Sequence, residues 1–163
     1  MKATVLLIET KLGTIKVELD TERAPNTSDH IVRLVKKGMY AGGCIYRSEP
    51  GFVVQGGIPD GGAPNMAWER TGLKNARGTI SMARAGDPNT EESAGTGSSE
   101  FFINLAENGR LDGYKWPYVV FGKVVEGMEV VDKVAALPVR QEGRIRLLNE
   151  PIKFAVKIIV ERE

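Results

Sequence analysis

Tyr46-Arg47-Ser48-Glu49-Pro50-Gly51-Phe52-Val53-Val54-Gln55-Gly56-Gly57 sets one fixed cation beside an apolar pair, Phe52 and Val53, and an amide, Gln55. Alternation along a strand predicts Phe52 and Val54 on one side and Val53 and Gln55 on the other. The two glycines that follow permit a sharp turn or a close backbone approach. An arginine keeps its charge at any working pH, and its planar fork of donors holds a fixed direction. Such a group can polarise a neutral amide without any proton leaving the protein.

Outward from this stretch, residues 3 to 20 read as a β-hairpin. Val5, Leu7, Ile15, Val17 and Leu19 recur at period two, and Lys11-Leu12-Gly13 supplies the turn. Ala24-Pro25-Asn26-Thr27-Ser28-Asp29 opens a helix, with Pro25 in its first turn and Asp29 expected to serve the positive dipole end. Ile31, Leu34 and Val35 form its apolar stripe, and Lys36-Lys37-Gly38 closes it. Short strands are expected around Cys44–Tyr46, Phe52–Gln55, Gly78–Met82, Phe101–Leu105 and Val119–Val124, with a last strand from about Ile152 to Val160. Residues 56–77 and 85–98 read as loops, and Gly127 to Leu137 as a second helix with Val130, Val131, Val134 and Leu137 on one side. Many short strands with two short helices predict a mainly β fold, a closed barrel with helical caps.

Bulk properties narrow the function. The 163 residues suffice for one domain with a real core. Lys plus Arg (22) nearly balances Asp plus Glu (21), and no basic run marks a nucleic-acid partner. No apolar run approaches the roughly 20 residues of a membrane helix. The N-terminus has no signal-peptide core or cleavage site, so a cytoplasmic location is the expectation. The single cysteine, Cys44, excludes an internal disulfide and reads as a small buried hydrophobe beside Ile45. His30, the only histidine, falls in a helix away from any Ser or Cys motif and reads as a surface or half-buried residue. No cofactor or metal motif is present. A monomer is expected, since neither a heptad nor a long apolar edge stands out.

Gly78-Thr79-Ile80-Ser81-Met82-Ala83-Arg84-Ala85, Gly97-Ser98-Ser99-Glu100-Phe101-Phe102-Ile103-Asn104, Leu111-Asp112-Gly113 and Val119-Val120-Phe121-Gly122-Lys123-Val124 follow Arg47 in order. This ordered set resembles the cyclophilin family of peptidyl-prolyl cis-trans isomerases, from the hairpin to about Val134. The compact loops and Gly72-Leu73-Lys74-Asn75-Ala76-Arg77-Gly78-Thr79 are similar to the single-domain bacterial or organellar branch. The resemblance implies an eight-stranded antiparallel barrel with a helix at each end, in one domain over residues 1–163. It implies a surface groove for Pro-containing peptide segments. Arg47, Gln55 and Phe102 match catalytic positions, and Phe52, Val53, Phe102 and Leu111 match the proline pocket. Ala83, Arg84 and Ala85 match the edge that hydrogen-bonds substrate backbone, and Glu100 and Tyr118 fall at further substrate-facing positions. Phe101 and Phe102 must point oppositely, and the family pattern gives the groove to Phe102.

Several positions depart from the family pattern. Glu100 stands where glutamine is usual, Arg84 where asparagine is common, Tyr118 for a histidine and Val53 for a methionine. Arg110 replaces a tryptophan that helps bind cyclosporin, so weak cyclosporin binding is expected. Tyr114 to Pro117 read as a short insertion at the pocket's edge, with Trp116 a candidate substitute ring. Opposite charges predict that Glu100 pairs with Arg84 or Arg47. The implied activity is rotation about X-Pro bonds, which breaks no bond and calls for no nucleophile. A proline-peptide binding module with little catalysis is the competing expectation.

Overall fold

The computed structural model describes residues 2–58 and 61–162. Residues 59 and 60, within the expected 56–77 loop, lie outside the described residues, as do the two chain ends of the expected domain. The hairpin is β1 (Lys2–Thr10) and β2 (Gly13–Leu19). Thr10 closes its turn, its hydroxyl donating to the Gly13 carbonyl at 2.8 Å and accepting from the Leu12 N–H at 3.1 Å. Gly13 has φ +133, and a Cβ there would lie 2.7 Å from Val130. Glycine therefore serves both the turn and the approach of the second long helix.

Helix α1 (Pro25–Lys36) begins at Ala24, which has no side chain to cap it. Asp29, expected at the dipole end, instead lies beyond the first turn and pairs with Arg33 at 3.0 Å. Glu69, 42 residues from Thr27, supplies the missing charge. Its carboxylate accepts the N–H groups of Asn26 (3.0 Å) and Thr27 (2.9 Å) and the Thr27 hydroxyl (2.8 Å). The buried face comprises Thr27, Ser28, His30, Ile31 and Leu34. His30 is thus buried rather than at the surface, and its Nε2–H donates to the Ser98 carbonyl at 2.6 Å. Gly38 ends the helix at φ +72, its N–H bonding the Val35 carbonyl.

The remaining elements are β3 (Cys44–Glu49), β4 (Val53–Gly57), β5 (Thr79–Met82), the short α2 (Glu91–Ala94), β6 (Phe101–Asn104), a 3-10 turn (Gly109–Asp112), β7 (Val120–Glu126), α3 (Met128–Ala135), β8 (Val139–Glu142) and β9 (Ile145–Arg162). All pairings are antiparallel. The order β1-β2-β7-β5-β6-β4-β3-β9 closes through β1–β9 into an eight-stranded barrel, with β8 as a further strand on β9. Three of these elements correct the sequence reading. The expected 85–98 loop contains α2, capped by the Thr90 hydroxyl. The last strand starts at Ile145, not Ile152, and β8 precedes it. Arg140 to Arg146 is mostly polar and exposed, so it carries no period-two signal.

Ile8, Ile15, Ile45, Val54, Ile80, Ile103 and Phe121 fill the barrel, each at most 1% exposed. Burial of this kind contributes about 1.5–3 kcal/mol per large side chain, so the barrel wall under the groove is held by its own interior. Tyr40, Phe101 and Phe154 form an aromatic cluster within the core. Phe101 therefore faces inward, and its neighbour Phe102 stands on the outer face, as alternation requires.

Candidate active site

The outer face of β3, β4, β5 and β6 carries the site. Regular alternation would put Arg47 on the same face as Ile45, which is in the core. It does not, because the register slips between Ile45 and Arg47 in both the β4 and the β9 pairings. Tyr46 is the extra residue of a β-bulge, and the bulge re-aims Arg47 outward, opposite Gln55. A second departure corrects the expected facing of Phe52. Gly51 (φ +77) and Phe52 form a turn, with the Phe52 N–H on the Glu49 carbonyl at 2.9 Å. Alternation therefore begins only at Val53. Val54 points into the core, while Phe52, Val53 and Gln55 all reach the groove.

Arg47 is held on two sides. Its Nε donates to Glu49 at 3.0 Å and its Nη1 to the Gln55 side-chain oxygen at 3.1 Å. Glu49 is 8% exposed and is itself fixed by the Arg146 N–H of β9 at 2.9 Å. The Arg146 guanidinium lies 3.4 Å from its other oxygen. This carboxylate sets the plane of the fork, and hydrogen bonds to charged groups are the stronger ones. Sequence reasoning passed over Glu49. The Arg-x-Glu spacing within one strand was the available signal.

Val53, Ala83, Phe102 and Leu111 form a buried apolar cluster of their own, bordered by Phe52, Tyr114 and Tyr118. With Arg47, Gln55, Arg84 and Arg110 they line an open cavity of about 210 Å³. That is below the roughly 300–1,000 Å³ of a drug-sized site, and suits a short segment with one side chain inserted. Phe102 packs edge-on to Tyr118, with centroids 5.7 Å apart. Leu111 reaches the cluster from the 3-10 turn, which a buried polar hub holds in place. Asn75, 1% exposed, donates from Nδ2 to Asp112 at 2.9 Å and accepts at Oδ1 from Ser81 and Asn104. Asn104 accepts in turn from Asn108 at 2.8 Å. These polar residues were unremarkable in sequence; only the fold brings positions 75, 81, 104 and 108 together.

Glu100 pairs with neither arginine, contrary to the expected ion pair. The register between β4 and β6 places it beside Gly57, where a Cβ would occupy the carboxylate's position. There it accepts the Tyr46 hydroxyl. Tyr46 accepts Gln55 Nε2 at 3.3 Å, and Gln55 accepts Arg47, so a chain of bonds runs from Glu100 to Arg47. Burial pushes the Glu100 carboxyl above its ordinary range, partly opposed by Tyr46 and Gln55. Burial and then Glu100 also push the Tyr46 phenol up. Cys44 is half-buried rather than fully buried, and burial raises its thiol too.

Arg84 is spent on the frame. It donates to the carbonyls of Pro88 (2.9 Å), Pro117 (3.2 Å) and Trp116, with its guanidinium 4.4 Å from the Tyr118 ring centre. Burial lowers its affinity for the proton. It thereby pins the expected insertion, Tyr114 to Pro117, against the groove. Trp116 does not replace the missing indole: it packs edge-on to Trp68 at 5.2 Å. Arg110 lies over Phe52, 4.7 Å from the ring centre. Ala83 lines the cavity with its N–H on the Glu100 carbonyl. Ala85 is exposed outside the cavity, its N–H on the Thr96 hydroxyl at 2.9 Å. Among the described residues, the Arg84 backbone N–H and C=O make no internal hydrogen bond.

A β-barrel with a bulge-mounted arginine over an apolar notch defines a family, and comparison with known proteins agrees. The family described as cyclophilin type peptidyl-prolyl cis-trans isomerase/CLD matches residues 5–159. The chain belongs to this family. It is 38% identical over 168 residues to a peptidyl-prolyl cis-trans isomerase of Acinetobacter baylyi, covering 96% of this chain and 83% of that protein. It is 37% identical to the human peptidyl-prolyl cis-trans isomerase-like 3, covering 88% of each. A solved cyclophilin type isomerase of Cryptosporidium parvum shares the fold, with TM-score 0.81 and 23% identity over 99% of both chains.

Proposed function

We propose that this protein is a peptidyl-prolyl cis-trans isomerase that uses Arg47 to stabilise the twisted X-Pro bond of flexible or unfolded chains. The observation that carries this is the Arg47 fork, fixed by Glu49 and Gln55 at the rim of the Val53–Ala83–Phe102–Leu111 notch. The uncatalysed barrier is roughly 18–20 kcal/mol of amide resonance. In the twisted state the prolyl nitrogen regains its lone pair and becomes a hydrogen-bond acceptor. A donor aimed there binds the transition state and not the planar ground states. The notch holds the proline ring while the carbonyl side turns. The unpaired Arg84 backbone groups and Gln55 are the polar partners for the substrate's main chain.

A preorganised donor in a water-poor site contributes on the order of 3 kcal/mol. The competing reading, a binding module, would leave the Arg47 restraints without a role. The test is exchange NMR on a short Ala-Pro peptide with catalytic amounts of protein. Accelerated cis/trans exchange supports the isomerase, whereas binding without acceleration supports the module. The site's tryptophan position is held by Arg110, and Trp116 is turned toward Trp68, so cyclosporin should bind weakly.

A further inference from the structure

We propose that the groove prefers prolyl bonds flanked by an acidic residue, with Arg110 as the residue that reads it. This rests on the isomerase reading of the groove. The chain as a whole is close to neutral, with 22 basic and 21 acidic residues. The groove is not: three arginines, Arg47, Arg84 and Arg110, line it, and among the described residues no Asp or Glu does. The compensation of these three cations differs. Arg47 shares Glu49 with Arg146, so two cations face one carboxylate. Arg84 has carbonyl oxygens and the Tyr118 ring as partners, with no carboxylate among the described residues. Glu100 lies behind the wall, engaged with Tyr46.

Arg110 is the accessible member of the three. It is exposed, makes no ion pair among the described residues, and rests on the face of Phe52, a wall of the proline notch. The ring's negative face attracts a cation and keeps the guanidinium at the mouth. Its donors remain open there, in the fork geometry that matches a carboxylate. A cleft lined by one sign of charge concentrates the opposite charge and repels its own. An aspartate or glutamate next to the proline gains this attraction. A lysine there meets three like charges.

The test uses five peptides identical except beside the proline: Glu or Lys immediately before it, Glu or Lys immediately after it, and an all-Ala control. Catalysed exchange and peptide affinity are read by NMR at about 20 mM and about 500 mM salt, bracketing strong and weak screening. The Glu peptide should exceed its Lys partner about fivefold on at least one side at low salt, with the ratio falling toward one at high salt. Arg110→Glu, at an exposed position, should invert the ratio, and Arg110→Gln should flatten it. Glu and Lys peptides within twofold of each other at low salt, or a ratio unmoved in Arg110→Glu, overturn the proposal. If no peptide, the control included, is accelerated, the isomerase reading fails instead. The Glu to Lys affinity ratio still decides the charge preference in that case.

Discussion

Removing Glu49 should loosen the arginine without touching the groove. Its carboxylate takes Arg47 Nε at 3.0 Å and the Arg146 N–H at 2.9 Å, and it does not line the cavity. In Glu49→Gln the amide oxygen keeps both bonds. The NH2 then faces the Arg146 guanidinium, whose side chain is half exposed and can turn to water. The guanidinium keeps its charge, so the bond stays charge-assisted and only the ion pair with the carboxylate is lost. Such a pair adds up to about 1 kcal/mol. A loss of about 1 kcal/mol in transition-state restraint lowers kcat/KM roughly fivefold. Glu49→Ala removes the bond outright and should cost about tenfold to a hundredfold on the same scale. Exchange NMR gives the rates, a shift titration gives peptide affinity, and thermal melting followed by circular dichroism confirms the fold. The loss should appear in turnover with affinity held. A folded Glu49→Ala within twofold of the parent would refute the reasoning. So would a loss of affinity equal to the loss of rate.

Other consequences concern the groove's walls and its buried acid. The Glu100 carboxyl is raised above its reference value of 4.5 in the fold, so the folded state holds that proton more tightly and loses stability as pH rises through and above that range. Glu100→Gln should therefore melt higher than the parent at pH 8, with the gap closing toward pH 4; a gap that widens on acidification contradicts the burial argument. Phe102→Ala opens the notch and should weaken peptide binding, with a separate cost in stability of up to about 3–5 kcal/mol; unchanged affinity in a folded variant would show that the ring does not seat the substrate. Cyclosporin should bind no tighter than about micromolar by calorimetry, since no indole replaces the one absent at Arg110, and nanomolar affinity contradicts that.

The barrel was legible because its strands carry period-two patterns and its blocks fall in a familiar order. The hairpin, α1, α3 and the opposite facing of Phe101 and Phe102 follow from local alternation alone. What stayed hidden depends on register or on distant partners. Counting residues from Ile45 cannot reveal that Tyr46 bulges and turns Arg47 outward. Nor does a sequence show that Phe52 belongs to a turn and so escapes the alternation that begins at Val53. Glu69 capping α1 and Asn75 holding the 3-10 turn act across more than 30 residues, where propensity has no reach. The expected Glu100 ion pair failed for a related reason. The sequence does hold opposite charges at Glu100, Arg47 and Arg84, but strand pairing puts Glu100 against Gly57 and Tyr46.

The sharpest check is catalysed exchange on an Ala-Pro peptide by the parent, Arg47→Ala and Arg47→Lys side by side. The fork donating to the prolyl nitrogen predicts about a hundredfold loss of kcat/KM in Arg47→Ala, from one preorganised donor. Lysine, a flexible point charge, should restore little of it. A folded Arg47→Ala that keeps more than a third of the parent's rate would remove Arg47 from the chemistry and leave the notch alone to explain catalysis.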